Sequence, residues 1–161
     1  MTYVPTPQEL EAGAEHLLYE LQMLTYVAGR LVRRDPEDPG APWSHNALVE
    51  ALAIHARNLI DFLYRAPKED DMVADHYMPT APSWDQVRPP LPAALVGVRK
   101  RAHKQIAHLT YHRTKVTPAE KAWAQVVITM ALGELMRVFL DRADTSKLGR
   151  FYGDLALEAA N

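Results

Sequence analysis

The amino-acid sequence predicts an all-α protein, a bundle of four long helices running up and down. A long proline-rich loop joins the second helix to the third, and a short helix closes the chain. Three observations predict this. Apolar residues recur at alternating spacings of three and four along several segments, which is the period of a helical stripe. The pattern T-P-x-E occurs twice, at Thr6-Pro7-Gln8-Glu9 and at Thr117-Pro118-Ala119-Glu120, and marks a helix start in both places. No stretch alternates apolar and polar residues as a half-buried strand does. At 161 residues the chain is long enough to bury a core of its own, and residues 1–161 read as one domain.

The first helix begins at the Thr6 cap. Proline follows where no amide donor is needed, and Glu9 stands where its carboxylate can reach back to the cap. Leu10, Ala14, Leu17, Leu21, Leu24, Ala28 and Leu31 then form one apolar stripe. It ends near Arg33 and Arg34, whose charges suit the negative end of the helix dipole. The run DPEDPGAP is a loop. A second helix is expected from a Ser44 cap to about Arg65, ahead of Pro67. Leu48, Leu52, His55, Leu59 and Phe62 make one stripe, with Val49, Ala53, Ala56, Ile60 and Leu63 beside it. A helix apolar over so much of its girth sits between neighbours. Arg57, Asp61 and Arg65 at spacings of four line its polar edge as helix-supporting ion pairs.

Residues 66–92 carry prolines at 67, 79, 82, 89, 90 and 92 and read as a long connection, with Tyr77 and Trp84 as candidates to pin it to the bundle. A third helix is expected from Pro92, with Leu95, Val98, Ala102, Ile106 and Leu109 as its core stripe. The fourth should run from the Thr117 cap to about Asp141, apolar nearly all round. It includes Trp123, Met130, Met136 and Phe139 as core, and Gly133 at a close helix approach. SKLGRFYGDLALEAAN then gives the short last helix.

Composition narrows the function. The apolar fraction of 48% and charged fraction of 24% are those of an ordinary globular protein. A formal net charge of −2 confines any polyanion site to a local patch. The chain has no cysteine, which removes disulfides, thiol nucleophiles and thiolate metal sites together. The opening MTYVPTPQELEAG lacks the basic and apolar regions of a secretion signal. The most apolar run, WAQVVITMALGELMRVFL, is interrupted by Gln125, Glu134 and Arg137. A cytoplasmic chain with no membrane partner is the expectation.

One stretch stands out, RKRAHKQIAHLTYHR over residues 99–113, which holds three of the seven histidines and no acid. Seven residues of α-helix turn through about 700°, so Arg101 and His108 share a face. Lys104, His112 and, if the helix lasts, Lys115 lie near that line. A guanidinium fork, an ammonium and an imidazole on one ridge are the groups that bind phosphate. A solvated basic face accounts for Arg101, Lys104 and Lys115 equally well. For His108 a hydrogen-bonding role, buried or at an interface, stands beside catalysis. His108 and His112 are one turn apart, a metal-chelating spacing, but Leu109 occupies the place of the metalloprotease glutamate and no third ligand is evident. Glu-x-x-His pairs for a di-iron bundle are absent, so no metal and no cofactor are expected. His55, on an apolar stripe, reads as a core histidine bonded to Glu20, Tyr19 or Asn58.

An arginine followed at this distance by a histidine, the histidine preceded by alanine, in a helical bundle, resembles the HEPN superfamily (higher eukaryotes and prokaryotes nucleotide-binding domains). RAHKQIAH carries the pattern over eight residues, and IHARNLIDFLY resembles the partner helix of small bacterial proteins of this type. One position departs: Ala102 follows the arginine where a polar residue is usual, with His103 one place later. The resemblance implies metal-independent endoribonuclease chemistry, or RNA or nucleotide binding. His108 would be the general base or acid at a ribose 2′-hydroxyl and Arg101 the stabiliser of the phosphorane charge. It also implies a toxin or phage-defence setting with a nucleotidyltransferase-type antitoxin as partner. Seven residues of helix separate the two backbones by roughly 10 Å, and one histidine cannot be base and acid at once. Catalysis therefore calls for a homodimer through helix 3. The alternative function is a non-catalytic homodimeric helical bundle whose ridge binds a partner's acids.

Overall fold

The computed structural model describes all residues except 1, 2, 34–36, 38, 39, 108–110 and 118–121, and the side chains of residues 107, 112 and 113 also lie outside the description. The described chain is all-helical, with no strand among the described residues. Its helices are α1 (Pro7–Val32), α2 (Ala41–Tyr64), α3 (Trp84–Val87), α4 (Val98–Arg101), α5 (Gln125–Leu140), α6 (Thr145–Leu148) and α7 (Tyr152–Ala160).

The T-P-x-E signature starts α1 as expected. The Glu9 amide donates to Thr6 Oγ1 at 3.2 Å while the Thr6 amide donates to Glu9 Oε2 at 2.7 Å. The whole predicted stripe of α1 is buried, joined by Leu18 and Val27. Helix α2 starts earlier than expected, at Ala41 after Gly40, because Pro42 has its φ preset for a first turn. Ser44 lies inside the helix and its hydroxyl donates back to the Gly40 carbonyl at 3.0 Å rather than capping. The eight residues between α1 and α2 reach at most about 29 Å. The 24 residues of α2 are about 36 Å long, so a parallel return is out of reach and the two helices pack antiparallel. Both predicted stripes of α2 bury residues against neighbours, with His55, Leu59 and Phe62 on one and Ala56, Ile60 and Leu63 on the other.

The connection over 66–92 enters the core. Trp84, 2% exposed, donates from Nε1 to the Leu63 carbonyl at 2.7 Å, and its amide donates to Asp75 Oδ1 at 2.6 Å. Tyr77 is buried in the turn Ala74–Tyr77 and its hydroxyl donates to the Leu10 carbonyl at 3.0 Å. Phe139 of α5 takes the edges or faces of Phe62, Tyr77 and Trp84, with ring centroids 5.2, 6.4 and 5.6 Å away. Burial pushes the Tyr77 phenol well above its usual range, so it stays a donor. A Cβ on Gly13 would run into that hydroxyl and into Met72 Sδ, so α1 passes Tyr77 only with a glycine there.

Two expectations are corrected. The third long helix is broken: a turn at Ala93–Leu95 leads to Gly97 at φ +84°, a left-handed conformation that glycine adopts without strain. Helix α4 then runs only to Arg101, and Ala102–Ala107 are wound as a π-helix. Three long helices, α1, α2 and α5, are thus found among the described residues where four were expected. Helix α5 also begins later than expected, at Gln125, and is not buried all round. Val126, Val127 and Met130 face outward, Met130 at 69% exposure, whereas Trp123, Met136 and Phe139 are core as expected. The second T-P-x-E box lies outside the described residues apart from Thr117. Gly133 does mark a close approach, since a Cβ there would sit 3.3 Å from the Ala159 carbonyl of α7.

Replacing Phe139 with alanine should cost about 3–5 kcal/mol in urea unfolding, and Tyr77→Phe about 1 kcal/mol for the lost hydroxyl bond. Gly13→Ala should destabilise despite alanine's propensity advantage of about 1 kcal/mol, because the buried phenol cannot retreat. A more stable Gly13→Ala protein would show that Tyr77 does not hold this seat. The Asp144 carboxyl at the start of α6 is held below its usual range by its bond from Ser146 Oγ. The Glu9 carboxyl is held low by the Tyr3 hydroxyl and then by Thr6. Their contributions should be present above the ordinary carboxylate range and lost as pH falls through the depressed values, as thermal melts against pH would record.

Candidate functional site

The basic stretch begins at the helix that Gly97 frees. Of the residues expected to act there, Arg101 is held against the bundle. Its guanidinium carbon lies 4.1 Å from the centroid of the Trp123 ring, and Nη2 donates to the Ala122 carbonyl at 3.0 Å. This is a cation–π contact in which one planar face is covered. Lys104 and Lys115 are exposed, as are Lys100 and His103. His108 lies outside the described residues. The backbone of His112 belongs to the turn Tyr111–Lys115, and its side chain lies outside the description. The shared face expected of Arg101 and His108 presumes regular α-helix between them. The i→i+5 winding over Ala102–Ala107 turns through less per residue, so the register computed at 100° does not hold across that segment. Buried Ala102 and partly buried Ile106 do face the core.

Arg99, at the head of the stretch, pairs through Nε with Asp61 Oδ1 of α2. Asp61 Oδ2 also meets Arg57 Nε at 3.5 Å, so one carboxylate stands between two guanidiniums. This joins the basic stretch to a polar cleft between α1, α2 and the connection, a cavity of about 290 Å³. His16, Glu20, Asn58, Arg65 and Asp71 also line it.

Beside the cleft lies a histidine–carboxylate pair. His55 Nδ1 and Glu20 Oε2 are 2.8 Å apart, and Asn58 Nδ2 donates to the same oxygen at 3.1 Å. His55 is buried, its side chain 11% exposed, and the Tyr19 ring packs edge-on at 5.8 Å. The expected core histidine is present, with Glu20 as its bonding partner. A carboxylate on Nδ1 fixes the tautomer that leaves Nε2 as an acceptor, the arrangement used to orient a base. Nε2 makes no hydrogen bond among the described residues. No group of three or more metal-ligating side chains occurs among the described residues. No described helix is long and apolar enough to cross a membrane.

Sequence reasoning found His55 as a core histidine, with Glu20 among three candidate partners, but read Arg57, Asp61 and Arg65 only as a helix-supporting edge. Their spacing signals one helical face. That this face meets Glu20, Asp71 and Arg99 from three other segments has no local signal. Comparison with family models, with curated proteins and with solved structures finds no match.

Glu20→Ala leaves a nearly buried imidazole without its partner and should cost about 1–3 kcal/mol. Glu20→Gln, which keeps an acceptor in place, should cost less. Urea unfolding of the two variants against wild type checks the order, and equal stability of all three would mean that the pair carries no weight.

Proposed function

We propose that the protein is a HEPN-like helical module that binds RNA or a nucleotide through its basic segment 99–115. The observation that carries this reading is charge segregation. The segment holds six Lys or Arg, three His and no acid in a chain of net charge −2. Lys100, His103, Lys104 and Lys115 are exposed along it, and so is the Tyr111 ring, at 91%. Cations that track a backbone beside an open aromatic face suit single-stranded nucleic acid, whose bases stack while phosphates pair. The π-wound turn inside the segment supports the same reading, since such turns are frequent at functional sites. A cavity of about 270 Å³ beside it, lined by Gln105, Ile106 and Trp123, gives room for a base.

Binding is favoured over cleavage by the position of Arg101, which must leave Trp123 and the Ala122 carbonyl before it can stabilise a phosphorane. Cleavage by His108 and Arg101, with Lys104, His112 and Lys115 on phosphates, belongs to this proposal as its stronger form. That form requires a homodimer through the basic segment and carries with it the cytoplasmic toxin or defence role and the antitoxin-type partner. The outward apolar face of α5, at Val126, Val127 and Met130, favours a second reading, a homodimeric interaction protein without catalysis.

A labelled single-stranded RNA titrated at two salt concentrations tests binding. Log K should fall with log salt by about 0.7 per phosphate neutralised, and Lys104→Gln with Lys115→Gln should flatten that slope by about 1.4. Tyr111→Ala should weaken binding by about 1–3 kcal/mol. Failure to bind at low salt ends the reading. Bacterial expression of wild type beside His108→Ala tests cleavage: growth arrest and broken RNA in the wild type alone support it. Intact RNA in both, or a monomer at micromolar concentration, leaves binding without chemistry.

A further inference from the structure

We propose that the cavity beside the basic segment is a guanine pocket, with Glu50 as the residue that selects the base. This inference rests on the RNA reading and names what that site takes. The cavity measures about 270 Å³ and opens between α2 and the π-wound segment. Asn46, Val49 and Glu50 stand at i, i+3 and i+4 on α2, so they share one face of that helix. Gln105 and Ile106 come from the π-wound segment, and Val116 and Trp123 complete the described lining. The aliphatic side chains and the indole give apolar walls, while two amides and one carboxylate give polar points. A flat apolar body with a hydrogen-bonding edge suits that mixture, and a nucleobase is such a body.

Charge keeps the phosphate out of the cavity itself. Its described lining holds one carboxylate and no cation, whereas Arg101, Lys104 and Lys115 lie outside it. Hydrogen-bond capacity then chooses among the bases. The side chains of Asn46, Glu50 and Gln105 make no hydrogen bond among the described residues, and Glu50 forms no ion pair there. A carboxylate only accepts, so Glu50 calls for donors at both of its oxygens. Of the four RNA bases, guanine alone sets two N–H donors side by side on its Watson–Crick edge, N1–H and the 2-amino group. Adenine, cytosine and uracil each place an acceptor directly beside their donor, and that lone pair would face the carboxylate. Asn46 and Gln105 keep amide donors for O6 and N7, the acceptors that guanine has left. A wrong base leaves charge against an acceptor, which is how a polar site discriminates. Glu50 is solvent-exposed, so the discrimination is modest, about tenfold.

Fluorescence anisotropy of the full chain with labelled uridine octamers, each carrying one central replacement, tests this at a single low salt concentration. The octamer with guanine should bind about tenfold more tightly than those with adenine, cytosine or uridine alone. Inosine keeps N1–H and lacks the 2-amino group, so its octamer should bind about fivefold more weakly than the guanine one. Glu50→Gln, checked for wild-type circular dichroism, should erase the preference and bring the octamers to one affinity. The inosine comparison uses the unaltered protein, so it decides the matter even if that variant does not fold. Equal binding of all octamers overturns the guanine pocket and leaves the RNA reading standing, whereas no binding of any octamer ends both. A preference for another base, a guanine preference that survives Glu50→Gln, or inosine binding as tightly as guanine also overturns it.

Discussion

The seat of Tyr77 and Trp84 against Phe139 is the constraint on which the rest of the structure depends. A connection of about 25 residues without a long helix is a liability in a small domain, because its entropy opposes closure and its backbone must find partners. Here it supplies two of the largest buried side chains, and each brings its own polar atom into the core with a carbonyl to meet it, Leu10 for Tyr77 and Leu63 for Trp84. Those carbonyls belong to α1 and α2, so the two rings tie the connection to both members of the hairpin at once. The C-terminal segment closes over the same seat. The Asp144 amide donates to the Tyr77 carbonyl at 2.8 Å, and Lys147 Nζ reaches the carbonyls of His76 and Met78.

Once the connection is pinned, the polar edge of α2 has something to face. Arg57, Asp61 and Arg65 would be a solvated stripe on an isolated hairpin. With Asp71 brought to Arg65 and Arg99 brought to Asp61, they become the wall of a polar cleft in which acids and guanidiniums alternate. The same contact fixes where the basic segment starts. Arg99 anchors it at α2, Arg101 anchors it at Trp123, and the exposed cations lie between and beyond those two points. Segregating the positive charge this way leaves a locally basic surface on a chain that is slightly acidic overall.

Local chemistry made much of the fold legible. The Thr6 cap, the α1 stripe and the double stripe of α2 are encoded within a few residues of where they act, and each was found where the pattern put it. The misjudged elements failed for identifiable reasons. Ser44 carries a capping side chain, but Pro42 had already set the first turn. Gly97 sat inside an apolar period that continued across it, so the period hid the break. Val126, Val127 and Met130 are as apolar as their buried neighbours, and hydrophobicity alone does not say which face of α5 lacks a partner.

By itself, then, the chain determined helical class, the start and buried stripe of its first helix, the apolar stripes of its second, a core histidine, and a basic stretch free of acids, because each of these depends on spacing and residue type over short range. Tertiary structure alone decided which carbonyls would receive Tyr77 and Trp84, that Arg101 would lie flat on an indole, that residues 102–107 would wind wide, and that α2's charged edge would become a cleft. Those outcomes depend on which distant segments share a volume, and sequence spacing carries no record of distances across space.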